Sequence, residues 1–258
     1  MVKKALSLLI PNENTSGRAS VMIIASYLLI GLGIWGVFKP AVFPSPLEVL
    51  QSFPPLWNQE GLGADIISSL IVSWQALLLS VLVSLPLAYV CRVPAIRPAS
   101  HTLAKLRFVS PAVFYVIILF VTPTGHLLKV VMLTLGESCF LVTTMIGVVS
   151  SIPEYQWDDI RTLRMSEWKG LWYVGVRGTL NQAIDAIRDN AAMGWSMLMM
   201  VETLMRSEGG LGVLSLNQEK HMNFGPLYAI VLTILIIGIG QDWILGQVKQ
   251  VVCPYDNN

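Results

Sequence analysis

Residues 150–177 decide the fold, and they read S-S-I-P-E-Y-Q-W-D-D-I-R-T-L-R-M-S-E-W-K-G-L-W-Y-V-G-V-R. This polar and aromatic interval lies between two long apolar segments, and its charges exclude it from the hydrocarbon of a bilayer. Pro153 ends the preceding helix. The spacing of Asp159, Arg161 and Leu163–Met165 predicts a short amphipathic helix with Trp168 near its end. A short helix held at a membrane surface indicates a docking element.

The composition is that of a membrane protein. The chain has 258 residues, of which 54% are hydrophobic and only 13% are charged, and its mean hydropathy is +0.63. Soluble domains carry fewer apolar and about twice as many charged residues. The formal net charge of +1 and the scattered Lys and Arg argue against a nucleic-acid partner.

Apolar runs predict an all-α polytopic membrane protein with about six transmembrane helices. The predicted spans are residues 19–38, 64–90, 108–121, 127–149, 187–204 and 227–248. They form a domain over residues 19–250, between a tail at 1–18 and a tail at 251–258, and the polar loop occupies residues 151–180. Thirteen of the 17 Lys and Arg fall on the side of the termini. The positive-inside rule therefore predicts that both termini and this loop are cytoplasmic.

The loop pattern I-P-x(4)-D-D-I-x(3)-R-M-S-E-W resembles the cytoplasmic loop of bacterial ABC importer permeases. Three more features resemble that family, and its nitrate, sulfonate and bicarbonate branch in particular. They are F-P-S-P-L-E-V-L after the first span, Glu202 in the fifth, and S-E-G-G-L-G-V-L at residues 207–214. The resemblance covers nearly the whole chain from about Pro44 and depends on the order and spacing of these motifs.

This resemblance implies a type I ABC importer permease fold in the cell inner membrane, with the loop as a coupling helix that docks on an ATPase. The residues that it implies for ATPase coupling are Asp158, Asp159, Arg164, Ser166, Glu167, Trp168 and Lys169. It also implies a second permease, identical or different, and an extracytoplasmic solute-binding protein. The chain departs from the family at Asp158–Ile160, where relatives have E-A-A, and at Arg164, where they have Gly. Arg forms a tight turn less readily than Gly.

A carboxylate in mid-membrane is the main feature of the fourth span. Glu137 at that depth costs about 2.5–3.5 kcal/mol, so it should face the bundle interior or a cavity. The spacing of Thr134, Glu137, Ser138 and Thr144 predicts one polar helix face. Glu137 is then either a hydrogen-bonding residue between helices or part of a translocation path. Glu202, near the outer end of the fifth span, is predicted to make a structural or gating bond.

No catalytic or metal-binding pattern accompanies these features. The sequence G-x-x-x-x-G-K-[ST] is absent, so a permease of this kind depends on a partner ATPase. The three cysteines of the chain are far apart in the sequence. The Met residues at 193, 197 and 200 have the helical spacing that is typical of packing residues. We therefore predict no enzyme activity, no cofactor and no metal. Two alternatives remain open: an ATP-independent secondary transporter or channel that uses Glu137, and a membrane scaffold subunit without transport activity.

Overall fold

The computed structural model describes residues 17–37, 44–122 and 125–254. These ranges contain twelve α-helices and no strand. The helices are α1 (Gly17–Val37), α2 (Pro46–Gln51), α3 (Phe53–Asn58), α4 (Leu62–Tyr89), α5 (Arg97–Lys105), α6 (Pro111–Val121), α7 (His126–Ser150), α8 (Glu154–Thr162), α9 (Glu167–Gly170), α10 (Leu180–Leu204), α11 (Leu211–Lys220) and α12 (Phe224–Val252). A π-helical segment at Leu171–Arg177 links α9 to α10. Residues 1–16 and 255–258, which are most of the first predicted tail and half of the second, lie outside the described residues.

Within the motif F-P-S-P-L-E-V-L, residues 45–48 form the start of a helix that is stabilised by their own hydrogen bonds. Ser45 is the N-cap of α2, and its hydroxyl accepts from the backbone N–H of Glu48 while the Glu48 carboxylate accepts from the N–H of Ser45. Pro46 occupies the first turn, where its missing N–H is not needed. These two bonds form a capping box, which fixes the start of the short helix α2.

The centre of the bundle is formed by α4, α7 and α10, with α12 packed on α10. Small buried side chains run along α4 and let the neighbouring helices approach closely. They are Ser69, Ser73, Ala76, Ser80, Ser84 and Ala88. Large apolar side chains such as Leu133, Leu198 and Ile230 fill the remaining core.

Four helices among the described residues are long and apolar enough to cross a membrane. They are α1, α4 with the turn that follows it, α7 and α12. The third predicted span is shorter than expected, because Pro111 starts α6 rather than interrupting it. With 11 residues, α6 is about 16 Å long and cannot by itself cross a core of about 30 Å. The total of six spans therefore stays a prediction.

The fifth predicted span begins earlier than expected, at Leu180, and its first turns are charged. Arg188 in these turns forms a bidentate ion pair with Asp242 of α12. Its guanidinium donates to the two carboxylate oxygens at 2.8 Å and 2.7 Å. Asp185 pairs with Lys249, which donates to both carboxylate oxygens at 2.8 Å. No sequence pattern indicated the pair of Arg188 and Asp242, because the two residues are 54 positions apart in the chain. These two ion pairs neutralise the charges of Asp185 and Arg188 near the start of α10.

The bundle has two ends, and each holds one group of the predicted functional residues. The loop end carries residues 151–179 together with the ends of α4, α7 and α12. The opposite end carries the start of α4, the start of α7, the end of α10 and α11.

Candidate functional site

The loop at residues 151–179 contains two short helices joined by a tight turn. The predicted single helix through Met165 is wrong, because α8 ends at Thr162 and Trp168 lies in the separate helix α9. The N–H of Met165 donates to the carbonyl of Ile160 at 3.2 Å, and the N–H of Arg164 donates to that of Arg161 at 3.0 Å. This bond pattern is a Schellman motif, which ends a helix by turning the chain sharply.

Arg164 occupies the left-handed position of this motif, with φ of 53°. That position usually holds Gly, because a Cβ there costs about 1–2 kcal/mol. The ABC permease family has Gly at the place of Arg164. The turn expected of the family is therefore present, although Arg is a less favourable residue for it.

The S-E-W sequence starts the second short helix. Ser166 is the N-cap of α9, and its hydroxyl accepts from the backbone N–H of Lys169 at 3.4 Å. Gly170 packs directly against the side chain of Ile160, so a Cβ there would lie 3.0 Å from an Ile160 methyl. This contact presses α9 onto α8. The two helices therefore present a single surface.

All seven residues assigned to ATPase coupling lie on the exposed side of this surface. They are Asp158, Asp159, Arg164, Ser166, Glu167, Trp168 and Lys169. Two of the charged ones, Asp158 and Glu167, are joined through Arg161, which lies 3.2 Å from Asp158 and 3.8 Å from Glu167. Exposed pairs of this kind contribute little to stability. The structure thus places the predicted residues together and leaves them accessible.

Exposed aromatic residues accompany these charges, and sequence reasoning missed three of them. Trp168 is 64% exposed, and Tyr155, Trp172 and Tyr173 are similarly accessible. A groove of about 420 Å³ beside Trp168 is lined by Arg92, Trp157, Arg161, Glu167 and Leu171, among others. The Arg92 guanidinium lies 4.2 Å from the centre of the Trp157 ring. Aromatic and Arg side chains are enriched at protein–protein interfaces. The sequence signal that could have identified an aromatic surface is the W-x-x-x-W-Y spacing of Trp168, Trp172 and Tyr173.

Glu137 lies between helices in the bundle interior, as predicted, and is 1% exposed. Its Oε2 accepts a hydrogen bond from the Ser80 hydroxyl of α4 at 3.2 Å. On the other side, a Cβ added to Gly194 of α10 would overlap Oε1. The carboxyl therefore fills the space between α4, α7 and α10. This packing favours the structural alternative for Glu137.

Replacing Glu137 separates its two possible roles. Gln has the same shape and keeps an acceptor for Ser80, so we expect Glu137→Gln to retain folding and assembly. Leu removes this acceptor and leaves the Ser80 hydroxyl only its bond to the carbonyl of Leu77 at 2.9 Å, so the free energy of unfolding should fall by the net value of one hydrogen bond, about 0.5–1.5 kcal/mol. Thermal unfolding in detergent measures both variants. Loss of transport by a stably assembled Glu137→Gln protein would contradict the structural role.

Glu202 is fully buried at the opposite end and holds the start of α11. Its Oε1 accepts from the Ser69 hydroxyl at 2.7 Å, and its Oε2 accepts from the backbone N–H of Gly212 at 2.7 Å. Ser69 in turn accepts from the N–H of Leu211 at 3.0 Å, and Asp65 accepts from that of Gly210 at 2.9 Å. Three backbone donors at a helix start, which have no partner within the helix, are thereby satisfied.

The S-E-G-G-L-G sequence makes this arrangement possible. Gly209 and Gly210 have φ of 65° and 111°, in backbone conformations that are open to Gly and rare for other residues. Lys129 of α7 is buried and donates to the carbonyl of Gly209 at 2.7 Å. We call Glu202, Ser69, Asp65, Lys129 and residues 209–212 the Glu202 cluster. It gives Glu202 hydrogen bonds to α4 and to the start of α11, with partners that the sequence did not reveal.

The predicted interior polar residues do not form one group. Ser69 and Ser80, the α4 partners of Glu202 and Glu137, are 11 residues apart, or about 16 Å along the helix. Thr134 and Ser138 line a groove between α4 and α7. The prediction of one polar face that includes Thr144 is wrong, because Thr144 is exposed. Ten residues turn the helix by about 280°, which carries Thr144 away from Thr134.

The described residues contain no assembled metal site. No group of three or more His, Cys, Asp or Glu is placed there to hold an ion. Cys91 and Cys139 are buried as separate thiols, and Cys253 is half-buried.

The described residues form a helical bundle with a capped, surface-exposed loop between two core helices, and four of its helices are long and apolar enough to cross a membrane. The chain is 22% identical over 226 residues to the taurine transport system permease protein TauC of Escherichia coli (strain K12), covering 85% of this chain and 82% of that protein. No family model matches the chain.

The fold is also that of a solved transporter. One chain of the methionine ABC transporter MetNI, in an inward facing conformation, matches with a TM-score of 0.59 and 14% identity, over 77% of this chain and 98% of that chain. Together the two comparisons confirm the resemblance to ABC importer permeases. The taurine relative fits the branch that the sequence indicated. They also favour a permease subunit over the secondary-transporter and scaffold alternatives.

Proposed function

We propose that this chain is the transmembrane permease subunit of an ATP-driven ABC importer. In this role it forms half of a translocation path for a small solute that an extracytoplasmic binding protein delivers. The loop end and both termini face the cytoplasm, in accordance with the excess of Lys and Arg on that side. The chain carries no ATPase of its own, and hydrolysis occurs in the partner subunits.

The observation that carries this proposal is the geometry of the loop at residues 151–179. Its two short helices are fixed to the bundle, because Ile152 and Trp157 pack against the ends of α4 and α7. Its outer surface combines exposed aromatic residues with charges of both signs. A rigid element of this kind can transmit a push from a soluble partner to the core helices that it joins, α7 and α10.

The partners follow from the same proposal. Two ATPase subunits contact the loops of two permeases, one of which is this chain, and the second permease is identical or different. The relative named for taurine makes sulfonates the first solutes to test.

Crosslinking tests the ATPase contact directly. A photo-crosslinking amino acid at Glu167 or Lys169, both exposed on the loop, should join the chain to the co-expressed ABC ATPase in membranes. Mass spectrometry of the product identifies the joined subunit. We expect a product of one permease plus one ATPase at both positions, because each side chain points away from the bundle.

The matched control is Lys220, which is equally exposed at the opposite end of the bundle. It should give no ATPase product in the same assembled complex. An assembled complex without an ATPase product at Glu167 and Lys169, or with equal products at Lys220, contradicts the proposed coupling role.

A further inference from the structure

The groove of about 420 Å³ beside Trp168 has a second wall that lies outside the loop at residues 151–179. This wall consists of three residues that closely follow the end of α4, which are Arg92, Val93 and Pro94. The loop supplies the other wall, with Trp157 and Trp168 among its lining residues. Two segments that are far apart in the sequence therefore share the groove.

Both walls of the groove are fixed to a common core. The chain leaves α4 through a single 3₁₀ turn at Val90–Arg92. Cys91 of this turn is buried in the same apolar cluster as Ile152 of the loop, and Trp157 packs against that cluster. A site whose shape is set before binding loses less conformational entropy when a partner binds. The groove is therefore preorganised for an occupant.

Arg92 gives the groove a cation that is held in place. Its side chain is exposed, and its guanidinium lies 4.2 Å from the centre of the Trp157 ring, where the ring attracts a positive charge. None of the ion pairs among the described residues uses Arg92. By contrast, Arg161 of the same groove is paired with Asp158 and Glu167. Arg92 therefore has no carboxylate partner in the part of the chain that the structure describes.

The rest of the lining is largely apolar or aromatic. It consists of Val93, Pro94, Trp157, Trp168 and Leu171. A carboxylate that binds Arg92 here would be partly removed from water, which strengthens a charge-assisted hydrogen bond. The planar fork of N–H donors in Arg matches a carboxylate. This chemistry fits an Asp or Glu side chain that lies next to an apolar residue of a partner.

We propose that the partner ATPase inserts an acidic side chain into this groove and pairs it with Arg92. The groove is continuous with the loop surface, because Glu167 and Trp168 belong to both. The inference rests on the proposed function and adds to it a contact outside the loop. An ATPase held there acts on the end of α4 as well as on the loop between α7 and α10. All three central helices of the bundle are then joined to one docking surface.

Photo-crosslinking identifies the occupant of the groove. A photo-crosslinking amino acid at Pro94, which is exposed and lines the groove, should join the chain to the co-expressed ABC ATPase in membranes. Mass spectrometry should map the product to an ATPase peptide that contains Asp or Glu beside an apolar residue. Ala99 is exposed on α5 and outside the groove lining, so it is the control and should give much less of this product.

ATPase binding by Arg92→Gln measures the charge contact. The purified ATPase is titrated onto the unmodified chain and its variants in nanodiscs. Loss of a hydrogen bond to a charged group should weaken binding about tenfold or more. The matched control is Arg97→Gln, which removes an exposed Arg of α5 and should change binding much less.

Salt dependence and charge exchange separate this contact from a structural role of Arg92. Added salt should weaken ATPase binding to the unmodified chain more than binding to Arg92→Gln, because salt screens accessible charge pairs. A merely structural Arg92 would leave the salt dependence unchanged. Arg92→Glu should lose ATPase binding, and replacement of the mapped ATPase acid by Arg should restore it.

The possible failures of this contact and of the proposed function are distinguishable. Equal ATPase binding by Arg92→Gln and Arg97→Gln, in a complex that still crosslinks at Glu167 and Lys169, overturns the contact alone. A Pro94 product with a second permease, or with an ATPase peptide that has no Asp or Glu, does the same. Absence of ATPase products at Glu167 and Lys169 in an assembled complex contradicts the proposed coupling role, and the contact at Arg92 with it.

Discussion

Glu202→Ala is expected to unfold the protein at a much lower temperature than any exposed substitution. The Ser69 hydroxyl and the Gly212 N–H both donate to the Glu202 carboxyl, and both are buried. Each donor left without an acceptor costs about 1–3 kcal/mol. Lys129 would also lose a nearby negative charge. We therefore expect the largest loss of stability at this position.

Gln at the same position should give an intermediate result. Its amide oxygen can accept from Gly212, and its NH₂ can donate to the Ser69 oxygen, but the charge is lost and the Ser69 hydroxyl no longer has an acceptor. Thermal unfolding, followed by tryptophan fluorescence in detergent, ranks the two variants. Glu219→Ala, an exposed change on α11, is the control. A Glu202→Ala protein as stable as this control would show that the cluster does not hold α11.

Gly212→Ala is expected to have the second large effect, because α10 and α11 touch at this glycine. An added Cβ would lie 2.6 Å from the carbonyl oxygen of Met199 and 2.8 Å from the Cβ of Glu202. The first of these is a backbone atom and cannot rotate away, so the two helices must separate. Overpacking of this kind costs about 1–3 kcal/mol or more. The separation would also lengthen the bond from Gly212 to Glu202.

Gly147→Ala is the matched control for this substitution. Gly147 is also within a helix, and an added Cβ meets no atom within 4 Å. Ala is the better helix former by about 0.5–1 kcal/mol, so this change should raise the unfolding temperature slightly. The two substitutions are chemically identical and should shift the melting temperature in opposite directions. Equal shifts would contradict the close contact at Gly212.

Local sequence patterns determined much of the fold before any tertiary contact was considered. The long apolar runs specified α4, α7 and α12 to within a few residues, because a helix that crosses hydrocarbon must satisfy its backbone internally. Ser45, Pro46 and Glu48 specified the start of α2, and the loop at residues 151–179 was located by its charges. These features depend on neighbours within four residues, which a sequence displays directly.

The prediction of a single helix through Met165 was wrong, because the residue types near position 164 gave no sign that the helix ends there. Arg is an unusual residue for the left-handed end of a helix, so the residue type gave no signal that α8 ends at Thr162. The conformation there is fixed by the packing of Ile160 against Gly170, which brings α9 back onto α8. Tertiary contact thus overrode a weak local preference.

The sequence by itself determined that this is a polytopic helical membrane protein, and it selected Glu137 and Glu202 because buried carboxylates are costly in a bilayer. Only the tertiary structure decided which groups these residues contact. Glu137 bonds to Ser80, and Glu202 bonds to Ser69 and to the start of α11. Ser69 and Glu202 are 133 residues apart in the chain, and a hydrogen bond depends on distance in space, which periodicity along one helix does not encode.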